Sequence, residues 1–251
     1  MNNTSIDFPD INASFIEASD LNTVCSNYIG ILNRTGNFYC SQYANKLLEY
    51  IDSNKQITTL EKEFHEIKCF LRDWSKSNSV QLSIASRKKA FLRFNSKIRL
   101  FLSDGFDLNG IRDLLGFKIV LFTSRKDSIV TQKLAYDLMN NLLIFFSIHR
   151  KSLLLNAESR LGEPLDMNSE TAKKLFVYDK SFLKSEFESK VKNYVLYPKD
   201  TGYQGLHAYV KTPTGLVFEI QIKTLAMDIY AESIHELHRK QRYANFKIPL
   251  D

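Results

Sequence analysis

The sequence predicts an α/β (α+β) fold with a helical N-terminal part, and three observations predict it. Ile57, Leu60, Phe64, Ile67, Leu71 and Trp74 recur three or four residues apart, the period of one helix face. Phe117 to Phe122 is a run of β-favouring residues, as in a buried strand. Gly205 to Thr224 alternates apolar and polar residues on both sides of a turn containing Pro213 and Gly215, the pattern of a hairpin. With 251 residues, 44% hydrophobic and 25% charged, the chain is long enough for one large domain or two small ones with a sizeable core.

Taken in order, residues 1–20 are polar and rich in Asn, Asp and Ser, and read as a loose arm. A helix is expected from about Tyr39 to Ile51, with Tyr43, Leu47 and Tyr50 on one stripe. The helix through Ile57 to Trp74 follows, and Thr58 with Glu61 forms a capping box at its start. At this spacing Phe64 and Trp74 are core and not a ligand platform. Ser86 to Arg99 reads as an amphipathic basic helix, with Arg87, Lys89, Arg93, Lys97 and Arg99 among Ala90, Phe91, Phe94 and Ile98. Asp113 stands just before the strand at Phe117, where a lone Asp is ordinarily a cap. Asp127 is the N-cap of a helix running to about Leu142, and Ile144 to Ile148 is read as a further strand. Residues 149–190 are polar, with helical patches at Ser169 to Phe176 and Phe182 to Val191, and read as an insertion or lid. No repeat or low-complexity linker appears. The organisation expected is a helical region over 1–80 packed on a core formed by 81–251.

The net charge of +6 favours anionic partners such as nucleotides or RNA, although a mild Lys excess is often only a solvated surface. Cys25, Cys40 and Cys69 are odd in number and widely spaced, which argues against a disulfide framework or a zinc site and fits a reducing cytoplasm. The N-terminus lacks the basic and apolar regions of a signal peptide. The most apolar run, Leu142 to Ile148, is far too short to span a bilayer, so no membrane partner is expected.

The hairpin allows a register argument. Directly opposed residues of an antiparallel pair point to the same side. A two-residue turn at Pro213-Thr214 would oppose Ala208 to Glu219 and mix apolar with polar. A three-residue turn, Pro213 to Gly215, opposes Tyr209 to Glu219 and His207 to Gln221 and keeps each face pure. It also places Gly215 at the left-handed position. The result is a sheet face carrying His207, Tyr209, Glu219, Gln221 and Lys223, the floor of a site or an ordinary half-exposed sheet. The preceding loop, Pro198 to Tyr203, adds a cation and an aromatic ring suited to a phosphate and a stacked base.

Together these segments resemble the synthetase domain of the RelA/SpoT family, the alarmone synthetases. The family pattern K-D-Y-I-x-x-P-K-x-N-G-Y-x-S-L-H is met by Lys192, Tyr194, Pro198, Lys199, Gly202, Tyr203, Leu206 and His207, with Val195 at the Ile position and Asn193 at the Asp position. The pattern E-[IV]-Q-[IL]-R-T appears as Glu219 to Thr224, followed by Ala226-Met227-Asp228, Ala231 and His235. Upstream, D-[IL]-x-G-x-R-[IV] appears as Asp113 to Ile119, and the basic segment matches Arg87, Lys89 and Lys97. The resemblance covers roughly residues 85–240. It departs from the pattern at Lys118 and Lys223, where the family has Arg, and at Asn193, Thr201 and Gly205. Most of these departures fall on the acceptor side.

The resemblance implies a nucleotidyltransferase-like mixed β-sheet flanked by helices, with the synthetase domain over 81–251. It implies Mg²⁺-dependent transfer of the β,γ-pyrophosphate of ATP to the 3′-OH of GDP or GTP, giving (p)ppGpp. By resemblance, Asp113 and Glu219 are the catalytic carboxylates and metal contacts. Arg87, Lys89, Lys97 and Lys118 grip ATP, and Lys192, Tyr194, Lys199, Tyr203, His207, Gln221 and Lys223 line the acceptor pocket, with Tyr203 stacking the base. Cations and metal suit this chemistry because the transferred group carries most of the charge. The metal-dependent hydrolase signature is absent from residues 1–85, which fits a small stand-alone synthetase. The alternative is the toxin branch, which pyrophosphorylates the tRNA 3′ CCA end or makes adenosine alarmones and implies an antitoxin partner. A catalytically dead nucleotide sensor is the third reading, and retention of Asp113 and Glu219 speaks against it.

Overall fold

The computed structural model describes residues 21–34, 38–89, 91–103, 108, 111–122, 128–157, 181–199 and 201–243. They fall into two compact units: Met1–Leu60, Lys89–Leu114 and Arg239–Asp251 form one, and Glu61–Lys88 with Leu115–His238 form the other.

The first unit is helical. Its described elements are α1 (Leu21–Arg34), the first part of α2 (Phe38–Asn78) and α3 (Phe91–Ser103). The stripe Tyr43, Leu47 and Tyr50 is buried, as its spacing predicts, against Leu32, Phe94 and Ile98. Tyr50 stacks on Phe94 with ring centroids 5.1 Å apart.

The second unit holds a six-stranded sheet. Its strands are β1 (Gln81–Lys88), β2 (Leu115–Phe122), β3 (Leu153–Leu155), β4 (Val191–Asn193), β5 (Leu206–Lys211) and β6 (Val217–Thr224). The order is β1-β2-β6-β5-β3, and β4 also pairs with β5. The β2–β6 pair is parallel and the others are antiparallel, so the sheet is mixed. One face is apolar. Phe117, Ile119, Phe218, Ile220 and Ile222 are buried there. The later part of α2 and the helix α4 (Ser128–Ile144), with the π-helical turn Phe145–His149, cover this face. Phe64 meets Phe117 at 4.5 Å and Phe146 meets Phe218 at 5.5 Å between centroids. Trp74 Nε1 donates to Asp137 at 3.0 Å, tying α2 to α4. Phe64 and Trp74 are therefore core, as expected. The helix α5 (Leu225–Tyr243) follows β6 directly.

The hairpin has the expected register: Tyr209 opposes Glu219 and His207 opposes Gln221. Its turn is closed by Thr212 N donating to Leu216 O at 2.9 Å and Gly215 N donating to Thr212 O at 2.9 Å. Gly215 has φ +88°, the left-handed conformation the three-residue turn requires.

Four local expectations are corrected. The two helices expected at Tyr39–Ile51 and Ile57–Trp74 are one helix of 41 residues, because nothing between Ile51 and Ile57 is a helix breaker. Thr58 and Glu61 lie inside it, so they do not cap its start. Ser86–Lys88 belong to strand β1, not to a basic helix, because pairing with β2 overrides the local pattern. Ile144–Ile148 is not a strand: α4 runs to Ile144 and continues as the π-helical turn. The N-terminal arm, the cap at Asp127 and the patch Ser169–Phe176 lie outside the described residues, as do residues 158–180 of the expected insertion. Among the described residues, no helix is long and apolar enough to cross a membrane.

Phe218 is fully buried between Phe117 and Phe146. Phe218→Ala is expected to cost about 3–5 kcal/mol through lost burial and a residual cavity. Gly215→Ala meets no atom within 4 Å, so it is expected to cost only the backbone penalty of about 1 kcal/mol. Chemical denaturation of both variants measures these, and equal losses would contradict the assigned causes.

Candidate functional site

The second face of the sheet is polar, and two cross-strand rows organise it. In the first row, Lys118 on β2 pairs with Gln221 on β6, Gln221 with His207 on β5, and His207 with Lys192 on β4. In the second row, Arg87 on β1 pairs with Gly116, Gly116 with Glu219, and Glu219 with Tyr209. Gly116 permits a close approach of β2 to β6. A Cβ built there would sit 3.1 Å from the Glu219 carbonyl oxygen and 3.6 Å from its Cβ.

The face is not half-exposed. His207, Glu219, Gln221 and Lys223 are all buried. Burial of a carboxylate requires compensation by hydrogen bonds or charge. At Glu219, His207 Nδ1 lies 2.8 Å from Oε1, and Tyr209 Oη donates to the same oxygen at 3.0 Å. Gln221 Nε2 donates to Oε2 at 2.5 Å. The His207 imidazole is held below its ordinary pKa, first by burial and then by Lys199 and Lys223, against the opposing pull of Glu219. It is therefore the neutral ring. A carboxylate only accepts, so the Nδ1 nitrogen carries the proton and donates to Glu219. Nε2 is then an acceptor, and the Tyr203 hydroxyl donates to it at 2.7 Å.

The loop before β5 is a tight turn. Gly202 N donates to Lys199 O at 2.6 Å, Lys199 N donates to Tyr203 O at 3.2 Å, and Gly202 has φ +76°. This brings Lys199 and Tyr203 together beside the polar face. Tyr194, Tyr203 and His207 form an edge-to-face ring cluster with centroids 5.2–5.9 Å apart. Lys199 Nζ lies 4.7 Å from the Tyr194 centroid and 5.0 Å from that of Tyr203. Lys223 Nζ lies 4.8 Å from the Tyr203 centroid, and Lys192 Nζ 5.3 Å from that of Tyr209. Among the described residues, the buried Thr201 Oγ1 between Lys199 and Tyr203 has no hydrogen-bond partner.

The helix α5 supplies counter-charge. Lys118 lies 3.2 Å from Asp228 and 3.3 Å from Glu232, and Lys223 lies 3.4 Å from Asp228. Burial lowers the Lys223 pKa, Asp228 opposes this, and Lys118 adds to it. Asn193 is structural. It accepts from Tyr136 Oη at 2.9 Å and from Leu196 N at 3.1 Å, which holds the turn after β4.

In the first unit, Asp113 is bound by two lysines. Lys89 Nζ bonds one carboxylate oxygen, and Lys97 Nζ lies 2.8 Å from the other. Burial would raise the Asp113 pKa, but Lys97 and Lys89 outweigh it and hold the carboxyl well below the usual range. Its oxygens are thus kept ionised, the state a hard cation requires. Among the described residues, no cluster of three or more His, Cys, Asp or Glu side chains is placed to hold a metal. Mg²⁺ commonly uses only one or two carboxylates and takes its remaining ligands from water and phosphate, so Asp113 has suitable donor chemistry.

The residues expected to bind ATP thus separate by element. Lys89 and Lys97 meet at Asp113, whereas Lys118 shares its row with Gln221, His207 and Lys192. Arg87 stands at the register position of Gly116. The expected acceptor residues Lys192, Tyr194, Lys199, Tyr203, His207, Gln221 and Lys223 all belong to the polar face or to the loop beside it. Two partners were named on the sequence but given no role there: Tyr209, which the alternation placed on this face, and Asp228, quoted within the family pattern and the fourth residue of α5. The signal for Asp228 was an acid in the first turn of a helix that follows a polar strand.

Residues 172–244 match the family described as "Region found in RelA / SpoT proteins". The matched residues include the hairpin, the loop before it and α5. Arg87, Lys89, Lys97 and Asp113 lie outside the matched residues. A 58-residue stretch, 20% of this chain, is 40% identical to GTP pyrophosphokinase YwaC of Bacillus subtilis (strain 168) and spans 28% of that protein's length. Among solved structures, the chain is similar to small alarmone synthetase 2 of Bacillus subtilis. The TM-score is 0.46 and the identity 20%, over 80% of this chain and 83% of the other. For small alarmone synthetase 1 of the same organism bound to its product pppGpp, the values are 0.42 and 16%, over 79% and 84%. For a GTP pyrophosphokinase family protein from Streptococcus pneumoniae they are 0.42 and 14%, over 81% and 80%.

The depressed Asp113 pKa gives a pH test. A folded-state pKa below the unfolded value of about 4 stabilises the fold above that pH, and the contribution is lost as the pH falls through the folded value. Wild type is therefore expected to be more stable than Asp113→Asn at about pH 7, with the gap narrowing at about pH 3. Chemical denaturation at both values decides it, and a gap independent of pH would contradict the ion pairs.

Proposed function

We propose that this protein is a nucleotide pyrophosphokinase that moves the β,γ-pyrophosphate of ATP to the 3′-OH of GDP or GTP. The observation that carries the reading is Glu219. It is a buried carboxylate, held through both oxygens by His207, Tyr209 and Gln221, on a face lined with lysines and tyrosines. It also lies within the RelA/SpoT region.

In this reading Glu219 accepts the proton of the attacking 3′-hydroxyl. A carboxylate has about four lone-pair sites, enough to keep its present donors and accept another. The acceptor oxygen then forms its bond to the β-phosphorus, the bond from that phosphorus to the α,β-bridging oxygen breaks, and AMP leaves. Lys199 and Lys223 bind acceptor phosphates, and the ring of Tyr203 takes the acceptor base. The acceptor phosphates then compete with the tyrosine rings for the two ammonium groups. Lys89 and Lys97 grip ATP phosphates. Asp113 would hold Mg²⁺, which when bound supplies positive charge to the transferred group. The cysteine pattern supports a cytoplasmic location for this reaction, and the resemblance carries the second reading, a tRNA acceptor with an antitoxin partner.

The test is to incubate the protein with γ-labelled ATP and Mg²⁺ together with GDP, GTP or bulk tRNA. Label is expected on the guanosine nucleotide. Label on tRNA instead would replace the acceptor assignment, and nucleotide binding without transfer would indicate a sensor. Glu219→Ala and Asp113→Ala are each expected to reduce transfer at least about 10²-fold while the fold remains. Full activity in either variant would remove that residue from the chemistry.

A further inference from the structure

We propose that His207 is the positioning residue for Glu219, and that it links the Tyr203 hydroxyl to that carboxylate through one directed line of hydrogen bonds. The proposal rests on the reading of Glu219 as the group that acts on the acceptor hydroxyl.

The line runs across three elements. The Tyr203 hydroxyl, in the loop before β5, donates to His207 Nε2 at 2.7 Å. His207 Nδ1, on β5, donates to Glu219 Oε1, on β6, at 2.8 Å. An ionised carboxylate only accepts, so the ring nitrogen facing Glu219 is the one that carries a proton, and the other nitrogen lies within hydrogen-bond reach of the Tyr203 hydroxyl. Tyr209 donates to the same oxygen, and Gln221 fixes the other. These two hold the carboxylate in the sheet. His207 also contacts the aromatic loop, where its ring packs edge-on against Tyr194 and Tyr203. Gly205, where the resembled pattern has Ser, leaves room at the outer nitrogen. A Cβ built there would lie 3.5 Å from Nε2, and a hydroxyl on it would compete with Tyr203.

The consequence is a coupling between acceptor binding and the base. A ring that shifts Tyr203 on binding pulls on the imidazole, and the imidazole sets the direction in which Oε1 presents its remaining lone pair. His207 acts through Glu219.

Two measurements decide the proposal. The first does not depend on activity. Long-range ¹⁵N correlation spectra of the imidazole should show His207 as the neutral Nδ1–H tautomer in wild type and in Tyr203→Phe, and should show that tautomer lost in Glu219→Ala. A neutral Nε2–H ring in wild type would overturn the proposal even if no acceptor were found. The second is kinetic. The amide of His207→Asn can occupy the place of Nδ1 and keep the bond to Glu219, whereas that of His207→Gln reaches the place of Nε2 and leaves Glu219 without it. With the acceptor identified by labelling, kcat should fall by no more than about tenfold in His207→Asn but at least about 10²-fold in His207→Gln and His207→Ala, with acceptor KM changed less than kcat. Equal losses in all three, or the reverse order, would show that the ring is only packing. Absence of transfer in wild type with an Nδ1–H ring would reject the activity and keep the hydrogen-bond line.

Discussion

A carboxylate buried inside a folded chain must be compensated, and the second unit is arranged to compensate Glu219. Left without donors, such a group would cost several kcal/mol and would become protonated. The β5–β6 register supplies Tyr209 from directly across the pair and His207 from the adjacent diagonal position, and the same strand supplies Gln221 two residues on. A slip of one residue in β5 would bring Ala208 or Val210 opposite Glu219 in place of Tyr209 and leave Gln221, on the same strand, as the one donor of the three that keeps its place. Register, burial and chemistry are therefore one constraint. The apolar face enforces it from the other side, since Phe218, Ile220 and Ile222 must face α2 and α4.

The positive charges follow a similar rule. Each described cluster of lysines is met by an acid or by the face of an aromatic ring. Lys89 and Lys97 share Asp113, and Lys118 and Lys223 share Asp228. Lys199 and Lys192 lie over tyrosine rings. An anionic ligand entering such a surface exchanges partners instead of meeting bare charge. The energy gained per contact is then smaller than the charge count suggests, and discrimination depends on how well the ligand replaces what it displaces.

How much of this was legible in the sequence depended on whether the deciding interactions were local. The hairpin register was legible because turn length, the left-handed glycine and the purity of both faces all lie within twenty residues and agree. The stripes Tyr43-Leu47-Tyr50 and Phe64-Ile67-Leu71-Trp74 were legible because helix period is local. Strand β1 was not. Its basic end imitates one side of a helix, and only β2, about thirty residues on, makes it a strand. The π-helical turn at Phe145–His149 was misread because a short aromatic and branched run carries no signal that separates a strand from a buried helix end. The polar residues of the hairpin were identified, but not their burial. That depends on β4 extending the sheet beside β5 and on the aromatic loop and α5 packing against the face, and no stretch of sequence specifies those contacts alone. Tyr209 and Asp228 gained their roles only through those contacts.

Gly116 sets a tolerance. Because it has no side chain, β2 comes so close to β6 that even a methyl group would press on the Glu219 backbone at 3.1 Å. The place of the Glu219 main chain, from which the carboxylate rises, is thereby set by strand spacing, and the side chains of His207, Tyr209 and Gln221 then orient the carboxylate itself. Catalytic geometry can lose about two orders of magnitude for a misplacement of about 1 Å. A carboxylate whose main chain is placed in this way keeps its starting point when side chains around the face are exchanged, and a side chain introduced at Gly116 is the change that would move it.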